Sequence, residues 1–363
     1  MFVLLILASS ISGLLITAAP PAAPSQLTNE EFWKLSSSLS EVDGEFRSDN
    51  LLSNEMGFQY VIPELLRTAQ PGRVYMGVGP EQNFTYIAAL KPSMAFIVDI
   101  RHGNLDVQLL YKALFELSAN RSEFVSKLFS RKPMTGFTAQ TTAGELFTAY
   151  ARSEPSKELY DTNLKAIIDH LKTKHGFPLS DGDVDGITWA YSNYYRFGPD
   201  ISYNSSSSTG NAPAIVGMQA NGGRRGGGGG STYAELMMAN DGAGKERSYL
   251  ANDENFMVLK TLETKNLLVP VIGDFSGPKA LREVGKYIKG ANAMVSAFYL
   301  SNVEQYLTGD KYPTFLTSVS TLPIDGTSRF IRSGSNQGFT GGGGNLGSGL
   351  GNMLQESQPY AGK

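Results

Sequence analysis

The stretch Arg73 to Arg101, RVYMGVGPEQNFTYIAALKPSMAFIVDIR, constrains the fold more than any other part of the chain. It reads as a short apolar strand, a glycine turn, a helix, a second apolar strand and then an acid, which is half of a nucleotide-binding unit. Val74 to Met76 is apolar, Gly77-Val78-Gly79 predicts a tight turn, and Pro80 suits a first helical position, where its missing N–H costs nothing. Met94 to Val98 predicts the second strand. It ends at Asp99, about twenty residues beyond the glycines, which is the spacing of an acid that binds ribose hydroxyls. The third glycine of the full dinucleotide fingerprint is absent, and Asn83 and its neighbours stand in its place. Gly77 and Gly79 therefore also fit a plain strand-to-helix turn.

The alternation returns later in the chain. Leu267 to Ile272 predicts a strand and Gly273-Asp274-Phe275-Ser276-Gly277 a turn. Pro278 then opens a helix with Ala280, Leu281, Val284, Tyr287 and Ile288 on one face. Gly290 ends it, Met294 to Leu300 is a further strand, and Ser301 with Glu304 predicts a capped short helix ending near Leu307. Other predicted helices run from Glu30 to Leu39, from a start at Asn104 through Leu117, from a cap at Asn120, from Glu158 to Lys174 and from Asp185 to Tyr195. Alternating strands and helices imply right-handed crossovers and a mainly parallel sheet. The expected class is α/β, a doubly wound, Rossmann-like sheet with helices on both faces.

Ligands of such sheets bind beyond the carboxyl ends of the strands. Gly79, Glu81, Asp99, Arg101, Asp274, Ser301 and Asn302 all fall there. Asp99 suits a pair of hydroxyls and Arg101 a carboxylate or phosphate, although the two could equally pair with each other. Asp274 could orient a ligand amine or act as a base, while Gly-Asp-x-Ser-Gly is also ordinary turn chemistry. Capping accounts for Ser301 and Glu304 and leaves Asn302 as the catalytic-side candidate.

Metal chemistry is not expected. Asp181, Asp183, Asp185 and Gly186 imitate the start of a calcium loop, but position twelve is Ser192 instead of the closing glutamate, so the cluster reads as an acidic helix start. The histidines are His102, His170 and His175, and five-residue spacing does not bring the last two onto one α-helical face. There is no cysteine, which removes disulfides, thiolate catalysis, cysteine-ligated metals and lipid acylation of a cysteine. The net charge of -3 argues against nonspecific nucleic-acid binding and favours a small-molecule or protein partner.

The chain divides by composition. Residues 1–24 read as a signal peptide or N-terminal anchor: Phe2 to Ala18 is uncharged and apolar, and AAPPAAPSQ follows with small residues suited to cleavage. No lysine or arginine precedes this run, and its length of about 17 residues reaches the lower limit for a membrane span. Export to the periplasm or the extracellular space is expected, with membrane anchoring by this segment as the alternative. Residues 25–58 form an N-terminal segment and 59–332 the α/β domain. A Gly/Ser-rich insertion at about 203–231 and a glycine-rich tail at 333–363 carry too little apolar surface to fold alone.

The segments YMGVGPEQNFTYIA, AFIVDIR, VPVIGDFSGPKALREVG and FYLSNVEQYL resemble the class I S-adenosylmethionine-dependent methyltransferases. They are most similar to a poorly characterised, often exported bacterial family with a methyltransferase-like domain. The likeness covers about Leu51 to Arg131 and Asn266 to Arg332. It implies S-adenosyl-L-methionine as cofactor, with Gly77 and Gly79 at the methionine-side turn, Glu81 and Arg101 nearby, and Asp99 on the ribose. Asp274 and Asn302 would stand on the catalytic side. The chain departs from the larger class at Tyr75, where an acid is usual, and at Ser301-Asn302-Val303-Glu304, which replaces the Asn-Pro-Pro-Tyr of amino-group methyltransferases. The implied activity is methyl transfer to an unknown acceptor. The alternatives are an exported non-catalytic ligand-binding or scaffold protein that keeps the fold, and an extracytoplasmic nucleotide sensor.

Overall fold

Apolar runs without alternation become strands buried on both faces. They are β1 (Val74–Gly77), β2 (Met94–Asp99), β3 (Leu268–Ile272) and β4 (Val295–Ser301), in which only Ser301 is not fully buried. With β5 (Arg329–Ser333) and β6 (Ser348–Asn352) they form one sheet in the order β3-β2-β1-β4-β5-β6. The first five strands are parallel and β6 runs antiparallel to β5. The computed structural model describes residues 23–46, 50–203, 205, 231–333 and 348–362. The expected signal peptide lies almost wholly outside these residues, as do nearly all of the Gly/Ser-rich insertion and residues 334–347.

Successive residues of a strand face opposite ways, so β4 reports on both sides of the sheet. Phe298 meets Phe315 at 6.3 Å between ring centroids, and its neighbour Tyr299 meets Tyr86 at 5.2 Å. Helices therefore cover both faces at this strand, and the α/β class with a mostly parallel sheet holds.

In chain order, α1 (Asn29–Leu39) lies against β3, α2 (Ile62–Thr68) precedes β1, α3 (Gln82–Leu90) joins β1 to β2, and α4 (His102–Leu117) leaves β2. A helical layer follows between β2 and β3: α5 (Arg121–Phe129), α6 (Ala143–Ala151), α7 (Lys157–Asp169), α8 (Asp181–Phe197), α9 (Tyr233–Met238) and α10 (Asp253–Thr264). Then α11 (Ala280–Gly290) joins β3 to β4, α12 (Lys311–Ser320) joins β4 to β5, and α13 (Met353–Ser357) follows β6. Aromatic contacts tie the inserted layer to the helices α3 and α4 that flank the sheet. Phe84 of α3 meets Tyr111 and Phe115 of α4 at 5.0 and 5.6 Å, and Phe115 meets Phe124 of α5 at 4.6 Å. Such pairs contribute about 0.5–1.5 kcal/mol each beyond their buried area.

Several boundaries differ from expectation. The segment 25–58 is not separate from the domain: Leu27, Glu41 and Gly44 donate backbone hydrogen bonds to Lys265, Ile272 and Ile100, and Leu51, Leu52 and Phe58 are core residues. The tail is likewise part of the sheet from Ser348, and Met353 is fully buried. Its glycines concealed it, because an edge strand can pair through backbone alone and shows no apolar alternation. Pro80 and Pro278 do not open helices. Each falls two residues before one, and the start of α11 is set by Glu41, whose Oε1 accepts from the amides of Lys279 and Ala280 at 3.2 and 2.5 Å. Asn104 does not cap α4, which begins at His102.

Candidate functional site

The strand order reverses at β1, whose two neighbours are β2 and β4, and a crevice forms beyond the carboxyl ends of strands at such a point. The turn leaving β1 holds Gly77, Gly79 and Glu81. Gly79 has φ +77°, a conformation glycine adopts without strain, and a side chain there would meet open space. Gly77 has no such room, because a Cβ would overlap Oδ1 of Asn83. That oxygen accepts from the Tyr75 hydroxyl at 2.9 Å, while Asn83 Nδ2 donates to the carbonyls of Val78, Gly79 and Pro80 at 2.9, 3.3 and 2.8 Å. Tyr75, which stands where the larger methyltransferase class has an acid, and Asn83 are thus one interaction. Gly77 serves this internal packing.

Below the turn sits a buried polar cluster. Gln108 Nε2 donates to the Gly79 carbonyl at 3.1 Å, yet its Oε1 has no partner among the described residues, and neither does Oε2 of the fully buried Glu81. Burial and the nearby Glu55 carboxylate push Glu81 up to about 8. Glu55 accepts from Tyr299 Oη at 2.9 Å, Ser301 Oγ at 2.8 Å and Gln82 Nε2 at 2.8 Å. Sequence reasoning missed Glu55, Gln82 and Gln108. Glu55 lies in a loop without motif or periodicity, and only the fold carries it across the end of β4.

Asp99 and Arg101 follow β2 and are paired with each other. Asp99 Oδ1 accepts from the Arg101 backbone N–H at 2.9 Å and from Nε at 3.0 Å, and Oδ2 accepts from Nη2 at 2.9 Å. A carboxylate offers about four acceptor sites, and Arg101 takes three. Asp274, after β3, accepts from the Ser276 amide and hydroxyl at 2.8 and 2.9 Å, which is turn chemistry. Asn302, after β4, is exposed and makes no side-chain cap. Asp274 follows β3 and Asn302 follows β4, with β2 and β1 between those two strands in the sheet.

The expected Ser301–Glu304 cap does not form. Ser301 adopts φ +50° and turns to Glu55, and Glu304 pairs with Arg332 at 2.5 Å, so the short 3-10 helix Val303–Tyr306 lacks a side-chain cap.

Two histidine clusters are assembled. At the same edge, His102 Nε2 lies 2.6 Å from Asp183 Oδ1 and 3.9 Å from Asp106 Oδ1. The imitation calcium loop is instead the first turns of α8, where Ser180 and Asp183 form a capping box and Asp181 and Asp185 are exposed. At the far end of α4, His170 and His175 do meet, contrary to their spacing on an α-helix. The chain makes a π turn over His170–Lys174, whose longer period brings position five back onto the same face. Both Nε2 atoms reach Glu116 Oε2, at 2.6 and 2.7 Å. These hydrogen bonds and the Lys112 ammonium hold the Glu116 carboxyl well below its usual range, although burial opposes them. A surface hollow of about 520 Å³ also lies at that end, lined by Asn120, Arg121, Phe137 and Thr138. Its Arg121 is engaged by Asp253 and by the carbonyls of Leu250 and Thr141, so no guanidinium is left for a ligand there.

Residues 51–177 and 231–358 match the model of a family described as a domain of unknown function (DUF7790). No curated protein matches the chain.

Proposed function

The chain belongs to that family, and we propose that it is a methyltransferase-like protein that binds S-adenosyl-L-methionine at the carboxyl edge of its sheet and transfers the methyl group to an acceptor. The observation that carries this reading is the coincidence of the β1 glycine turn and Asp99 at the point where the strand order reverses. A doubly wound, Rossmann-like arrangement belongs to the same reading.

The residues fit such a ligand in part. Open space beyond Gly79, with the partnerless Glu81 Oε2 and Gln108 Oε1 near it, suits a donor-bearing group such as the ligand's amino end. Asp99 has one acceptor site left, so gripping both ribose hydroxyls requires Arg101 to swing aside, where it can meet the ligand carboxylate. The cofactor supplies an activated methyl group. The chain's own task is to hold and orient it, since in-line displacement depends on alignment more than on acid–base help.

A non-catalytic binding or scaffold role on the same fold is the second reading. It is favoured by the engagement of Asp274 within its own turn.

Calorimetry of the purified protein with S-adenosylhomocysteine tests both. Micromolar binding, weakened by about 2–4 kcal/mol in Asp99→Ala, supports the adenosyl site. No binding at millimolar ligand sinks it. Binding without methyl release from the labelled cofactor on any acceptor panel favours the second reading.

A further inference from the structure

The cluster of His102, Asp106 and Asp183 plays no part in the adenosyl reading. His102 opens α4, Asp106 follows one turn later, and Asp183 comes from the first turn of α8, in the stretch between the two family-matched regions. His102 Nε2 and one oxygen of each carboxylate lie within 4.8 Å of one another. Asp106 is 3% exposed and its Oδ1 has no hydrogen-bond partner among the described residues. α8 is shaped to receive this carboxylate, for a Cβ on Gly186 would overlap Asp106 Oδ2.

Charge points the same way. The buried Asp106 and Asp183 carboxylates lie together beside His102, and Asp43 is a further acid close enough to act on His102. Arg101, the adjacent cation in the chain, is engaged with Asp99. Buried carboxylates are costly unless they meet an ion pair or a coordinated metal, and the partner these two share is the half-exposed His102 imidazole. The Glu116–His170–His175 cluster differs in this respect. Lys112 Nζ lies 2.9 Å from Glu116 Oε1, so that site already contains its cation.

We infer that His102 Nε2, Asp106 Oδ1 and Asp183 Oδ1 bind one divalent transition-metal ion. One imidazole with two carboxylates suits zinc, cobalt or manganese better than calcium. Asp183 is already oriented for it: Ser180 N and Oγ hold Oδ2 at 2.6 Å each, leaving Oδ1 directed at His102. The His102 side chain is 43% exposed, so the ion enters from solvent and keeps open coordination positions on that side. On binding, the metal replaces the Nε2 proton that His102 shares with Asp183, and that proton leaves to solvent.

The test is titration of the full chain, stripped with EDTA, with Co²⁺ followed by visible absorbance and confirmed by Zn²⁺ displacement. One equivalent should bind. His102→Gln and Asp106→Asn should each weaken binding by about a hundredfold or more, given that even outer-sphere partners of a metal are worth 10–100-fold. His102 is half exposed, so its variant remains folded, while His170→Gln and His175→Gln should leave the affinity unchanged. No Co²⁺ uptake at millimolar metal, affinity retained within about threefold in both site variants, or loss in His175→Gln would each overturn the site. S-adenosylhomocysteine affinity measured in metal-free protein reports on the adenosyl reading separately.

Discussion

The hydroxyl of Tyr75 and the side-chain oxygen of Asn83 meet at 2.9 Å inside the turn that leaves β1, occupying the volume into which a side chain on Gly77 would project. The same amide ties three successive carbonyls. Asn83→Ala would leave the buried Tyr75 hydroxyl and those carbonyls unsatisfied and should cost about 3 kcal/mol in urea unfolding. Asn83→Gly, which removes the same amide and adds backbone freedom, should cost at least as much. A loss below about 1 kcal/mol in either variant would show that the turn holds without this bond.

Glu81 makes stability depend on pH. Its folded value near 8 stands above the ordinary 4.5, so across that window the folded chain keeps a proton that the unfolded chain has released. Stability therefore falls as pH rises from about 4.5 to 8 and levels off above it. Glu263, fully buried and also raised to about 8, adds to the same slope. Glu81→Gln should be more stable than the parent by at least about 1 kcal/mol at pH 9, with the difference shrinking toward pH 5. Parallel pH profiles for the two proteins would mean that Glu81 ionises normally.

Removing residues 348–363 should lower stability by more than about 3 kcal/mol or prevent folding. It strips β6 from the sheet, uncovers the core around Met353 and leaves Arg332 without Glu356, its partner at 2.7 Å. Thermal unfolding of the truncated chain decides this. A melting temperature within a degree or two of the full chain would show the tail to be dispensable.

Ser301 and Asn302 should separate. Ser301→Ala removes one of three donors to Glu55 and should cost about 1 kcal/mol. Asn302→Ala, at an exposed position without a cap, should change stability by less than about 0.5 kcal/mol. Any methyl transfer should nevertheless fall in Asn302→Ala if that amide faces the acceptor. A strongly destabilised Asn302→Ala with full activity would make it a structural residue.

The fold was legible in the sequence where local pattern and burial agree. Met94–Asp99, Leu268–Ile272 and Val295–Ser301 are legible because strands buried on both faces must be apolar throughout, and the cap of α5 by Asn120 because capping is local. β6 was hidden, since glycines pair through backbone alone, and the π turn was hidden because an α-helical period places His170 and His175 apart.

By itself, then, the sequence determined the α/β class, the positions of the central strands and the arrival of Gly79, Glu81, Asp99, Asp274 and Asn302 at one edge. Tertiary structure decided which of these meet. Asp274 is engaged within its own turn, and the return of distant segments places Glu55 beside Ser301 and Asp183 beside His102. The physical reason is that periodicity and capping act over a few residues, whereas a site is made by contacts whose partners lie 81 or 246 positions apart.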